Sequence, residues 1–188
     1  MRHLGHNLGL SHSGSDVNQN GVFENDEQYD DASCQMGGGG EWGLVSDGQK
    51  CFNAAKMYYL GWFSTYHGSS TPASSSFSGT LVGINDAAND EITSGQYVSV
   101  KISGTGETDL FMMYNRVEGV HKFLENLYYR DKVVVVEQSE SDEQSWVRAV
   151  LGEGETYSQG NWAGTGSALK IKVCEWCILR ICYYYQHL

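Results

Sequence analysis

The spacing of two histidines about a glycine, near the start of the chain, most constrains what this sequence can form. His6, Gly9 and His12 are each three positions apart. A helix that carries an imidazole can be ended by a glycine, which adopts a left-handed conformation that other residues resist. The chain then turns back. The spacing therefore predicts that His12 returns to the neighbourhood of His6, where the two imidazoles could share one zinc ion.

These residues form the second half of the long zinc motif H-E-x-x-H-x-x-G-x-x-H. The first histidine of that motif falls at Arg2, and its glutamate, which takes a proton from zinc-bound water, falls at His3. A guanidinium stays protonated and cannot ligate zinc. His3 neighbours His6 on a helix surface, but its side chain leaves the helix at a different angle from position 2. The sequence thus predicts zinc ligands at His6 and His12, without the third ligand or the general base.

An acidic stretch follows the second histidine. Asp16, Asn18, Asn20 and Glu27 match the calcium-loop pattern D-x-[DN]-x-[DN]-G-x5-E. Oxygen ligands at alternate positions around a glycine suit a hard divalent cation. An EF-hand also needs helices on both sides of the loop, and the segment before Asp16 has no helical character. A calcium loop and a solvated acidic loop are both open interpretations.

Two further features lie downstream. Met36 precedes a run of glycines, which suits a tight turn. Between Cys51 and Trp62, apolar residues recur at three- and four-residue intervals, so this segment is predicted to be an amphipathic helix of about three turns. Taken alone, these features indicate a core methionine and a core helix.

In combination, these segments resemble the gametolysin-type zinc metallopeptidases, a branch of the metzincins. The resemblance covers residues 3 to about 174 and departs from the family at Arg2, at His3, at Asp30 and in the length of the acidic stretch. The matching segments are HNLGLSHSG at 6–14, YxDxSCxMG at 29–37, CFNAAK at 51–56, LGW at 60–62, YNR at 114–116, YRD at 129–131 and NWAGTG at 161–166.

The resemblance implies a zinc cofactor, a protein or peptide substrate, and Met36 in a methionine turn beneath the metal. It also implies that residues 1–65 are only the lower subdomain of a metzincin catalytic domain, holding the zinc helix, the methionine turn and the C-terminal helix. The upper subdomain, whose edge strand aligns a substrate peptide, is expected to be missing. Cys34 and Cys51 are disulfide candidates that would tie the methionine turn to the following helix.

The rest of the chain is dominated by strand patterns. Residues 66–78 are serine-rich and are interpreted as a linker. Short alternating or unbroken apolar runs between residues 79 and 174, separated by glycine-rich turns, predict an antiparallel β-sandwich. Residues 175–188 form a divergent tail rich in cysteine and tyrosine. The predicted fold class is α+β: the C-terminal half of a metzincin catalytic domain followed by a β-sandwich.

Composition restricts partners and location. The net charge of -11 argues against binding nucleic acid or anionic membranes. No apolar run approaches the roughly 18 residues of a membrane span. No signal peptide is expected in this chain, because Met1 and Arg2 lead into a histidine-rich helix. Five cysteines favour an oxidising compartment, and the resemblance implies an extracellular or cell-wall location.

Three functional hypotheses follow. The resemblance implies a zinc metalloendopeptidase that cleaves extracellular or cell-wall proteins, although Arg2 and His3 predict that this chain is catalytically incompetent. A degenerate relative could instead act as a binding module through its β-sandwich. The chain could also be a truncated gene model whose parent is an active secreted peptidase.

Overall fold

The computed structural model describes residues 2–16, 27–38, 50–71, 76–89, 91–104, 108–122, 124, 126–139, 144–162, 167–174 and 179–187. Across these residues the fold is mixed α and β, with a few short helices and mostly strands in two sheets. None of the helices in this part of the chain is long and apolar enough to cross a membrane.

The helices are α1 (Arg2–Asn7), α2 (Ala54–Tyr59) and α3 (Ile84–Ala88), with single 3-10 turns at Glu27–Tyr29, Ser64–Tyr66 and Gly119–His121. The strands are β1 (Ser13–Ser15), β2 (His67–Ser70), β3 (Ser76–Leu81), β4 (Gln96–Tyr97), β5 (Ser99–Ile102), β6 (Thr108–Tyr114), β7 (Val133–Ser139), β8 (Ser145–Leu151), β9 (Thr156–Gln159), β10 (Ser167–Val173) and β11 (Leu179–His187).

The first sheet has the strand order β1-β8-β7-β6-β5-β2, and the second has the order β4-β3-β11-β10-β9. Neighbours in the middle of each sheet are antiparallel. Three pairs are parallel: β1 with β8, β2 with β5, and β3 with β4. The sheets are therefore mixed, and the wholly antiparallel arrangement predicted from the sequence is wrong at their edges.

The first sheet is covered on both faces. In β6, Phe111 and Met113 join one apolar core while Leu110 and Met112 join another. The first core also contains apolar residues of the N-terminal third: Leu10, Cys34, Met36, Phe52, Ala54, Ala55 and Met57. The second core is shared with the second sheet, through Leu81, Tyr157, Leu169, Ile171 and Val173. The apolar residues of β6 and β7 are buried on both faces of the sheet, which is the burial that an unbroken apolar run favours.

Two segments differ from their predicted roles. The serine-rich stretch 66–78 contributes β2 to the first sheet and the first half of β3 to the second. Backbone pairing needs no apolar side chain, so small polar residues can form such strands. Residues 175–188 were predicted to be a divergent tail. They include β11, which lies inside the second sheet between β3 and β10. The helix predicted between Cys51 and Trp62 is present but shorter, at Ala54–Tyr59.

Candidate metal centre

Helix α1 ends as the sequence predicts. Gly9 has φ 81°, in the left-handed region. Its N–H donates to the His6 carbonyl at 3.0 Å, and the Leu10 N–H donates to the Gly5 carbonyl at 3.1 Å. This pair of bonds is the Schellman motif, which satisfies the last carbonyls of a helix. Leu10 is buried, so the chain that leaves the helix is anchored in the first core.

The turn brings the two predicted zinc ligands together. The ring centroids of His6 and His12 are 5.0 Å apart, with the ring planes at 71°. His6 Nδ1 lies 2.8 Å from the Leu10 carbonyl oxygen, and His12 Nδ1 lies 3.2 Å from Oε1 of Gln28. Both partners are oxygens that only accept, so Nδ1 carries the proton in each neutral ring. The lone pair is then on Nε2 of both rings, which is the arrangement of a metal-ligating histidine whose other ring nitrogen donates to an oxygen.

Both imidazoles line one open cavity of about 470 Å³, together with Ser11, Gln144 and Trp146. Gln144 immediately precedes β8, and Trp146 lies within it. The cavity therefore has one wall from the N-terminal helix and turn and another from the first sheet. The pairing of β1 with β8 places them side by side, with Ser13 opposite Ser145 and the Ser145 N–H donating to the His12 carbonyl at 3.2 Å.

Met36 lies against the helix that carries His6. Its side chain is fully buried, and a Cβ added at Gly5 would overlap the Met36 sulfur and come within 3.3 Å of a Phe52 ring carbon. The Gly37 N–H donates to the Cys34 carbonyl at 3.0 Å, which closes a tight turn around the methionine. The turn that holds Met36 thus packs on α1 at Gly5, one residue before His6.

A buried polar network fixes the segments around this centre. Ser13 Oγ and Ser33 Oγ each donate to the Asp31 carboxylate at 2.6 Å. Asn53 Nδ2 donates to Ser13 Oγ at 2.8 Å and to Ser145 Oγ at 3.0 Å. All five side chains are buried. The network joins the strand after His12, the segment before Met36, the start of α2 and the start of β8.

One of the predicted calcium ligands, Asp16, has a partner within the chain. Asp16 is buried and forms an ion pair with Arg148, whose Nε also lies 3.5 Å from the Glu137 carboxylate. Asn18 and Asn20 lie outside the described residues. Glu27 begins a 3-10 helix. The Asp16 carboxylate is therefore committed to a cation of the chain itself.

The two cysteines predicted to pair are free thiols in the structure. Cys34 Sγ accepts from the backbone N–H groups of Met36 and Asn53, at 3.4 and 3.3 Å. Cys51 Sγ instead lies 3.8 Å from the Met57 sulfur. Burial, reinforced by Asp31, raises the pKa of Cys34 to about 12, and burial raises the pKa of Cys51 to about 11. Both thiols are thus protonated at neutral pH and are poor nucleophiles.

The two imidazoles are of a type that binds zinc, but the centre lacks a third ligand in the described part of the chain. Two neutral imidazoles with Nε2 lone pairs are normal zinc ligands. Among the residues that the structure describes, no group of three or more His, Cys, Asp or Glu side chains could hold a metal ion. The missing position of the motif is occupied in the sequence by Arg2.

Five residues of the site were not predicted from the sequence. Gln28 bonds to His12, the Tyr29 ring centroid lies 4.3 Å from that of His12, and Ser11, Gln144 and Trp146 line the cavity. The alternation from Trp146 to Leu151 predicted a strand. No local signal indicated that this strand flanks a histidine more than 130 positions earlier.

A glycine-ended helix, two imidazoles on one cavity and a buried methionine beside them are features of metal-dependent peptidases. The family comparison agrees: the sequence model described as gametolysin peptidase M11 matches residues 1–151. The chain therefore belongs to the gametolysin family of metallopeptidases, which confirms the resemblance found in the sequence. The match runs to the last residue of β8 and so covers both walls of the cavity. No curated protein and no solved structure matches the chain.

Proposed function

We propose that this chain has the architecture of a gametolysin-type zinc metalloendopeptidase. His6 and His12 are its remaining zinc ligands, and the substrates of the family are extracellular or cell-wall proteins. In this proposal the N-terminal third is the lower half of a metzincin catalytic domain, and the two sheets form a β-sandwich. The observation that carries the proposal is the pair of imidazoles, each held through Nδ1, on one cavity beside Met36.

This chain retains two candidate zinc ligands but lacks the first ligand and the general base of the motif. Zinc, when bound in such a centre, polarises the scissile carbonyl and lowers the pKa of a bound water. His6 and His12 would hold it, and Trp146 would offer an apolar surface to a substrate side chain beside it. The positions of the first ligand and of the general base hold Arg2 and His3. A general base typically contributes 10²–10⁴-fold to rate, so we expect little or no cleavage by this chain.

The decisive experiment restores the motif. Arg2→His with His3→Glu rebuilds H-E-x-x-H-x-x-G-x-x-H, and zinc per chain and casein cleavage are measured with and without a chelator. We expect weak zinc binding and no chelator-sensitive cleavage from the original chain. The double variant should bind zinc stoichiometrically, and cleavage should appear.

The control adds His12→Ala to the double variant, which should abolish both gains. A double variant that binds zinc no better than the original chain would overturn the proposed metal centre. Chelator-sensitive cleavage by the original chain would overturn the proposed incompetence.

A further inference from the structure

His12 is contacted by two successive residues of the 3-10 helix Glu27–Tyr29. Gln28 Oε1 lies 3.2 Å from His12 Nδ1 and, as an amide oxygen, accepts the hydrogen bond between them. The Tyr29 ring lies next to the His12 ring, with centroids 4.3 Å apart and planes at 46°. This short helix therefore meets His12 with one hydrogen bond and one ring contact.

The first sheet anchors this contact. Gln144 Nε2 donates to the backbone carbonyl of Gln28 at 3.1 Å, and the next residue, Ser145, donates its N–H to the His12 carbonyl at 3.2 Å. The start of β8 thus holds both the backbone of His12 and the residue that binds its ring. Gln28 and Gln144 are 116 positions apart, so this link exists only in the folded chain.

An amide oxygen can only accept a hydrogen bond, whereas a neutral imidazole has one N–H and one lone pair. Gln28 therefore selects the ring form with the proton on Nδ1 and the lone pair on Nε2, the atom that would face a metal. Without that acceptor, the proton can move to Nε2 and the ring can change its orientation. Outer partners of this kind typically change metal affinity by about 10–100-fold when they are removed.

We propose that Gln28 is a positioning residue for His12, that Gln144 holds Gln28 in place, and that the metal affinity of the centre consequently depends on the first sheet. The inference rests on the proposed metal centre for its functional meaning. Its structural content, the protonation site of the His12 ring, can be tested without any metal.

The first test is long-range ¹H–¹⁵N NMR of the metal-free chain, at a pH where the imidazoles are neutral. We expect His12 to carry its proton on Nδ1. Gln28→Ala should move most of the population to the Nε2–H form, and Gln144→Ala should move part of it. Gln28→Glu keeps an acceptor and should preserve the Nδ1–H form. The matched control is Gln96→Ala, because Gln96 Oε1 accepts from the Thr93 N–H at 2.8 Å in a separate turn.

The second test is Zn²⁺ affinity by competition with a chromogenic chelator. Gln28→Ala should weaken binding by about tenfold and Gln144→Ala by less, while Gln28→Glu restores or exceeds the original affinity. Gln96→Ala should change nothing. Thermal unfolding of each variant verifies that its fold is retained.

The outcomes separate the two proposals. A His12 ring that carries its proton on Nε2 in the original chain overturns the positioning role, as does a Gln28→Ala variant with unchanged tautomer. If the original chain binds no Zn²⁺ while Gln28→Ala still shifts the tautomer, the positioning role stands and the proposed metal centre fails.

Discussion

Asn53 is the residue whose loss should most disturb the segments that hold the metal centre. Its Oδ1 accepts from the Lys56 N–H at 3.1 Å, which caps the N-terminus of α2. Its Nδ2 donates to Ser13 Oγ at 2.8 Å, to Ser145 Oγ at 3.0 Å and to the Asp31 carboxylate at 3.3 Å. Asn53 is 1% exposed, so water cannot replace these bonds without entering the core.

The expected cost of Asn53→Ala follows from these contacts. Loss of an N-cap costs about 1 kcal/mol. A buried hydrogen bond contributes about 1 kcal/mol, and a bond to a charged group about 1.5–3 kcal/mol. The sum is roughly 3–5 kcal/mol, a large part of the 5–15 kcal/mol typical of whole domains. The melting temperature of a chain of this size should fall by roughly 10 °C.

The assay is urea unfolding of Asn53→Ala beside a matched control, Asn126→Ala. Asn126 Oδ1 also accepts a backbone N–H, from Tyr128 at 3.0 Å, but at an exposed position. The control should cost less than about 1 kcal/mol. Hydrogen exchange at the Ser13 amide should accelerate only in Asn53→Ala. Equal costs for the two variants would refute the reasoning that the buried network, and not local capping, carries the stability.

Three further predictions test other parts of the structure. Gly9→Ala places a Cβ in the left-handed region and should cost about 1–2 kcal/mol in thermal unfolding, with an unchanged melting temperature counting against the helix stop. Burial lowers the pKa of His121 to about 4, below its unfolded value, so its contribution is complete above about pH 6.5 and is lost as pH falls toward 4. His121→Phe should therefore lose less stability than the original chain between pH 7 and 4.5, as measured by urea midpoints, and parallel losses would disprove the assignment. Arg148→Met leaves the Asp16 and Glu137 carboxylates without their cation and should cost about 3–5 kcal/mol by calorimetry; a cost under about 1 kcal/mol would show that the pair is not structurally important.

The parts of the site that could be predicted from sequence are those set by local backbone physics. Gly9 ends α1 because a left-handed residue is required at that point, and the next two residues fix the return of the chain. The place of Met36 near the histidines was implied by the family resemblance, because a methionine before a run of glycines indicates by itself only a core residue. The strands with unbroken or alternating apolar residues, β6, β7, β8 and β10, were also predictable from their periodicity.

The parts that could not be predicted depend on residues far apart in the sequence. The strand β1 consists of Ser, Gly and Ser, and nothing in those letters indicates that it pairs in parallel with β8. The alternation of apolar residues at Val98, Val100 and Ile102 predicts that all three lie on one face of a strand. The strand is interrupted between β4 and β5, and Val98 packs in the first core while Val100 and Ile102 pack in the second. Gln28 and Gln144 belong to the site only because the 3-10 helix Glu27–Tyr29 meets the start of β8 there.

The position of β8 beside β1 also governs when the histidine cavity can exist during synthesis. A ribosome releases His6, His12 and Met36 early, but the strand that completes their surroundings ends at Leu151. Until that residue has emerged, the nascent N-terminal third lacks the partner that buries its apolar side chains, and it remains available to chaperones and proteases. An ion held between the two walls of this cavity would therefore be bound only after β8 has been made.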